Sequence, residues 1–166
     1  TYDSVNEIDT YGGLYNSSYG EGSKSTLTNS GTLTNTGDLI NDSDYGGESS
    51  LNNEAGADLK NDGFLSNYSN YYGISTLTNK AEAILTNEVG ANIDNVSGYY
   101  HGGGTSTLSN AGTLTNDGYL TNYSVDGGTS TLSNAGTLTN NGDLTNSIGD
   151  GGTSTLSNSG ILTNNG

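Results

Sequence analysis

Few residues of this 166-residue chain could do chemistry: one histidine, three lysines, eighteen acids and twelve tyrosines. His101 stands alone in Tyr99-Tyr100-His101-Gly102-Gly103-Gly104, and the chain has no Cys. A zinc site or a nucleophile–base pair needs partners that this stretch lacks. Lys24, Lys60 and Lys80 are far apart in the chain and Arg is absent, so no cluster of strong bases forms. The chain is therefore expected not to be an enzyme. Asp126 and Asp150 each precede Gly-Gly at equivalent places, and two stacked carboxylates either repel or share a cation. Weak calcium binding is the one cofactor expectation left open. The Gly-Asp-Gly-Gly context is not the Gly-Gly-x-Gly-x-Asp pattern of calcium β-rolls, so no metal ligands are assigned.

Tyrosine and threonine are the more suggestive types. Tyr45, Tyr71 and Tyr99 each fall six residues after an aliphatic residue of a repeated motif, Leu39, Leu65 and Ile93. That spacing predicts a column of rings along one edge. Such a column is either a surface for sugar rings or a partner, or a cover packed over the loop side. Outward Thr pairs, Thr26/Thr28, Thr76/Thr78, Thr113/Thr115 and Thr137/Thr139, are similar to the Thr arrays of ice-binding solenoids. Ser50/Asn52 and Asp58/Lys60 interrupt those arrays.

The elements that must position these residues follow from an internal repeat. Gly104-Thr105-Ser106-Thr107-Leu108-Ser109-Asn110-Ala111-Gly112-Thr113-Leu114-Thr115-Asn116 recurs from Gly128 and, slightly changed, from Gly152, a 24-residue period. The N-terminal half follows the same scheme with insertions. Inside each unit lies a motif of six, Leu-x-Asn-x-Gly-x, three to a turn and then a loop. Eighteen such motifs carry Asn two residues after the aliphatic. The first position holds Asn29, Asn53, Asn79, Asn110, Asn134 and Asn158; the second holds Asn35, Asn61, Asn87, Asn116, Asn140 and Asn164; the third holds Asn16, Asn41, Asn67, Asn95, Asn122 and Asn146.

A six-residue apolar period traces no helical stripe, and Thr, Gly and Asn are weak helix formers. In Gly31-Thr32-Leu33-Thr34-Asn35, alternation turns Leu33 inward and both threonines outward, as in a strand. The Asn-x-Gly that follows reads as a corner, because both residues tolerate left-handed angles. The predicted fold is all-β: a single-stranded parallel β-solenoid of about seven coils, three short strands per coil, with the right hand favoured. Residues 1–166 form one continuous solenoid, with 1–26 an irregular or partial first coil opened by Ile8 and 27–166 regular coils. Each Asn is expected to donate its amide to one neighbouring coil and accept from the other, forming three ladders. Five of the third-position Asn residues begin Asn-x-Ser sequons, but ladder amides face inward and would not accept glycans.

Composition is consistent with that architecture. Hydrophobic residues make up 29% of the chain and the net charge is −15, values of a disordered chain were the order of residues random. Stacked coils need only a narrow aliphatic column. The acidity excludes nucleic acid binding through phosphates, and no apolar run is long enough to insert in a membrane as a helix. The chain opens at Thr1 and stops partway through a repeat at Gly166, which reads as a mature or excised fragment.

The Asn29-Ser30-Gly31-Thr32-Leu33-Thr34-Asn35 pattern resembles repeats of bacterial filamentous haemagglutinins and autotransporter passenger domains. The resemblance runs from about Leu14 onward. It implies an extracellular or cell-surface rod, structural or adhesive, commonly a right-handed β-helix, with fibre formation as a further expectation. The six-residue motif also resembles left-handed hexapeptide helices with a loop added. Expected partners are further coils of its own chain or other copies stacked axially, and a glycan or cell-surface receptor. Two alternative functions are a carbohydrate-binding surface on the Tyr edge and an ice-binding Thr face.

Overall fold

The computed structural model describes residues 12–98 and 102–166. Eighteen short strands wind into about six coils and build three parallel six-stranded sheets. First-motif strands form one face: β2 (Lys24–Asn29), β5 (Glu48–Asn53), β8 (Ile74–Asn79), β11 (Thr105–Asn110), β14 (Thr129–Asn134) and β17 (Thr153–Asn158). Second-motif strands form the next: β3 (Thr32–Asn35), β6 (Asp58–Asn61), β9 (Ile84–Asn87), β12 (Thr113–Asn116), β15 (Thr137–Asn140) and β18 (Ile161–Asn164). Third-motif strands form the last: β1 (Gly13–Tyr19), β4 (Asp38–Asp44), β7 (Phe64–Ser69), β10 (Asn92–Ser97), β13 (Tyr119–Ser124) and β16 (Asp143–Ile148).

Each strand pairs in register with its counterpart one coil away, so Leu meets Leu and Asn meets Asn along all three sheets. The one substitution is Ile93, which pairs with Leu65 and Leu120. Leu59, Leu85, Leu114 and their equivalents are fully buried. Leu14, Leu144, Leu156 and Leu162, in the terminal coils, are only partly buried.

The Asn ladders run unbroken, and all fifteen links point the same way. Nδ2 of each Asn donates to Oδ1 of the Asn in the following coil, as in Asn87 to Asn116 at 2.7 Å and Asn116 to Asn140 at 2.6 Å. The third-position ladder from Asn16 to Asn146 behaves alike, with every link at 2.7 Å. The second amide hydrogen goes to a backbone carbonyl of the next coil, as Asn116 does to Asp143 O at 2.9 Å. Buried amides are thereby satisfied without water. Asn41, Asn67, Asn95 and Asn122 are fully buried, so their sequons present no amide to solvent.

Coil number and spacing complete the description. The described residues hold about six coils rather than seven; the seventh start, Ile8, lies outside them. The insertions expected in the N-terminal half lengthen the 24-residue period there. Successive steps along the first ladder are 24, 26, 31, 24 and 24 residues. Some coils widen at a corner, where buried Ala57, Ala83 or Ala91 stands near the following aliphatic, and one has a longer stretch of sequence between β10 and β11. Regular strands also begin at Gly13, ahead of Leu27.

The corner glycines follow a different logic from the expected one. Gly112, Gly118, Gly136 and Gly142 have no positive φ. A Cβ at Gly136 would instead lie far inside van der Waals contact with Gly112 O of the preceding coil. Close backbone approach between coils, not handedness, selects glycine there.

Candidate functional site

The loop after each third-motif strand has to reverse within a few residues before the next first-motif strand. Tyr45, Tyr71 and Tyr72 do so at positive φ, 50°, 42° and 64°. A left-handed backbone costs a non-glycine residue about 1–2 kcal/mol, and it aims these rings off the edge of the solenoid. Tyr45 and Tyr71 stack as predicted, with centroids 4.5 Å apart and planes 10° from parallel. Tyr19 joins the column against Tyr45 at 4.7 Å, tilted by 46°. It was not foreseen because it follows its aliphatic, Leu14, by five residues instead of six. Tyr99, the third predicted member, lies outside the described residues, as do Tyr100 and His101.

The column does not offer a flat platform. Both faces of Tyr45 are taken, one by Tyr19 and one by Tyr71, so its 46% exposure is an exposed edge. Tyr72, 78% exposed, carries the more open ring. A cavity of about 520 Å³ lies among Glu21, Tyr45, Gly46, Tyr71 and Tyr72.

A second concavity, of about 540 Å³, opens on the outer face of the third-motif sheet. Its residues are the outward alternates of β4, β7, β10 and β13. Ser66 is buried at the small-residue centre of this patch, with Ile40 and Asp94 in register on the two flanking strands. One row over, Asp42, Tyr68, Val96 and Tyr123 form the next register column. Phe64 and Thr121 complete the lining. Burial holds the Asp42 carboxyl protonated to higher pH than usual, from 3.8 to about 6, and the Asp44 charge adds to this. Asp42 Oδ1 is buried with no hydrogen-bond partner. Burial also raises Asp94, against a hydrogen bond from Thr121. No Lys lines this groove. Lys24 pairs with Glu48, Lys60 with Asp62 and Glu88, and Lys80 with Glu54.

Behind the loop edge, serine hydroxyls form buried rows that join the third-motif sheet to the first. Ser43 bonds Ser75, Ser69 bonds Ser106 and Ser97 bonds Ser130, each at 2.9 Å. Ser75 also donates to Tyr68 O and Ser106 to Val96 O. The sequence carries the sign of this: Ser recurs four residues after third-motif aliphatics and two before first-motif ones.

Asp126 and Asp150 occupy matching loop positions, and no group of three or more His, Cys, Asp or Glu side chains converges among the described residues. The Thr columns stand in register but are broken where expected: Thr26 and Thr28 pair with Ser50 and Asn52, Thr32 and Thr34 with Asp58 and Lys60. Comparison with family models, curated proteins and solved structures finds no match for this chain.

Proposed function

We propose that this chain is a non-catalytic structural rod segment of an extracellular or cell-surface protein. It lengthens axially through further coils of its own chain or other copies, and so supports adhesion or fibre formation. The carrying observation is the common polarity of the three Asn ladders. In the last coil, Asn146, Asn158 and Asn164 donate their amides only within their own coil, at 3.5, 3.1 and 3.2 Å. At the other end of the third-position ladder Asn16 donates into the second coil with the same polarity, and a head-to-tail contact is the geometry that propagates. Partly buried Leu144, Leu156 and Leu162 would be covered by the same contact. The outside location is supported by the resemblance of the repeats.

Sedimentation velocity at low and high salt tests the axial reading. Like charge keeps acidic copies apart, and screening removes that barrier, so end-to-end oligomers grow with salt. Leu156→Glu, on the last coil, should abolish that growth. A strict monomer at high salt and high concentration contradicts axial association of copies. Protease shaving of intact cells that make the protein tests its location; full protection of the chain contradicts surface display.

A carbohydrate-binding reading is supported by the cavity between Glu21 and Tyr72, where an open ring and a carboxylate face one space. On a glycan array, Tyr72→Ala should lose whatever sugar signal the chain gives. Unchanged signal places binding elsewhere.

A further inference from the structure

We propose that the groove on the outer face of the third-motif sheet is a binding site for a small aliphatic diamine. The proposal is independent of the rod reading. The volume, about 540 Å³, suits a small molecule rather than a macromolecular surface. Asp42 and Asp94 stand two strands and two residues apart, which puts their Cα atoms roughly 12 Å from each other at the strand spacing. The line between them crosses β7 between Ser66, which leaves room, and Tyr68, and the apolar side chains of Ile40 and Val96 flank it on the two outer strands, where they suit an alkyl chain. Tyr68 adds a ring whose negative face attracts cations.

Charge decides between an amine and a neutral ligand. Two part-buried carboxylates sit in apolar surroundings with no Lys facing them, and every Lys of the chain is already paired on another face. Asp42 Oδ1 is buried without a partner, Asp94 has only the Thr121 hydrogen bond against its burial, and neither carboxylate has a countercharge. An ammonium at each end supplies the missing countercharge, whereas a hydroxyl supplies only a hydrogen bond. A single metal ion would satisfy one carboxylate and leave the other, together with the apolar stretch, unused.

Calorimetric titration of the whole chain with cadaverine, near neutral pH and at low ionic strength, tests this. The expected result is one saturable site. Pentylamine, with one ammonium, binds about tenfold or more weakly, the weight of one charge-assisted contact. Asp42→Asn and Asp94→Asn each weaken cadaverine by a similar factor. Both variants remove a carboxylate that folding disfavours, so both should fold, as circular dichroism can verify. Ser66→Leu fills the groove without changing charge and should eliminate binding. Asp58→Asn, on the second-motif sheet, removes the same charge and should leave affinity unchanged. No binding heat overturns the proposal. So does equal weakening by Asp58→Asn, which would mean diffuse attraction to an acidic rod. Equal affinity for the corresponding diol, or displacement by calcium at comparable concentration, overturns it as well.

Discussion

A single Asn in this fold satisfies and is satisfied by two coils at once. Asn116 accepts from Asn87 and donates to Asn140, Gly118 O and Asp143 O. Asn116→Ala leaves buried donors and acceptors unpaired in three successive coils and should cost about 3 kcal/mol or more. Thr115, its half-exposed neighbour, should change stability by no more than about 0.5 kcal/mol on truncation. Chemical denaturation of the two variants checks this; equal midpoints would mean that the ladder contributes nothing. Asp42 gives a prediction of opposite sign. Its folded carboxyl titrates near 6 against an ordinary 3.8, so the folded state holds the proton more tightly than the unfolded state. That contribution is fully present below about pH 4 and is lost as pH rises through about 6. At face value the shift is worth about 3 kcal/mol, and screening at a part-open groove reduces it to about 1–2 kcal/mol. Asp42→Asn should therefore raise the melting temperature at neutral pH and flatten its dependence between pH 4 and 6. A melting temperature that falls at neutral pH would show that the carboxylate has a partner in the folded protein.

At the scale of elements, strands and corners are set by different residues. Gly136 and Gly127 separate two reasons for glycine. Gly127 has φ +78° with open space where a Cβ would stand, so Gly127→Ala should cost about 1 kcal/mol of backbone strain. Gly136→Ala drives a methyl into the backbone of the preceding coil and should cost about 2–3 kcal/mol. Thermal melts of the two variants give the order; a reversed order would mean that the coils are less closely stacked than described. This difference also marks what the sequence made legible. The recurrence of Leu and Asn two residues apart discloses strands, inward faces and ladders, because a stack in register demands the same residue at the same place. It also discloses that Asn-x-Gly is a corner. The reason for the glycine is hidden, since it depends on the neighbouring coil's carbonyl rather than on its own angles. The Tyr column was half legible: Tyr45 and Tyr71 share a spacing, while Tyr19 does not and still stacks. The groove was not legible. Ile40, Ser66, Asp94 and Thr121 fill one register column with four unlike residues, so no periodicity advertises it.

The whole molecule is a one-dimensional array in which each coil is held only by its neighbours. Its apolar column, three Asn ladders and Ser rows all run along the same axis, so stability should be highest in the middle coils and fall toward the last one. Terminal Asn146 and Asn158 are exposed and lack the onward link that Asn116 has, which makes the ladders themselves reporters of stacking. Side-chain amide hydrogen exchange followed by NMR reads them directly. If the coils stack in register through unbroken ladders, Asn87 and Asn116 Nδ2 protons exchange as slowly as the backbone amides of β9 and β12. Those of Asn146 and Asn158 then exchange fast in the free chain and slow down when chains associate at high salt. Fast and uniform exchange of all ladder amides, with the backbone strands still protected, would contradict the ladders as the element that holds the rod together.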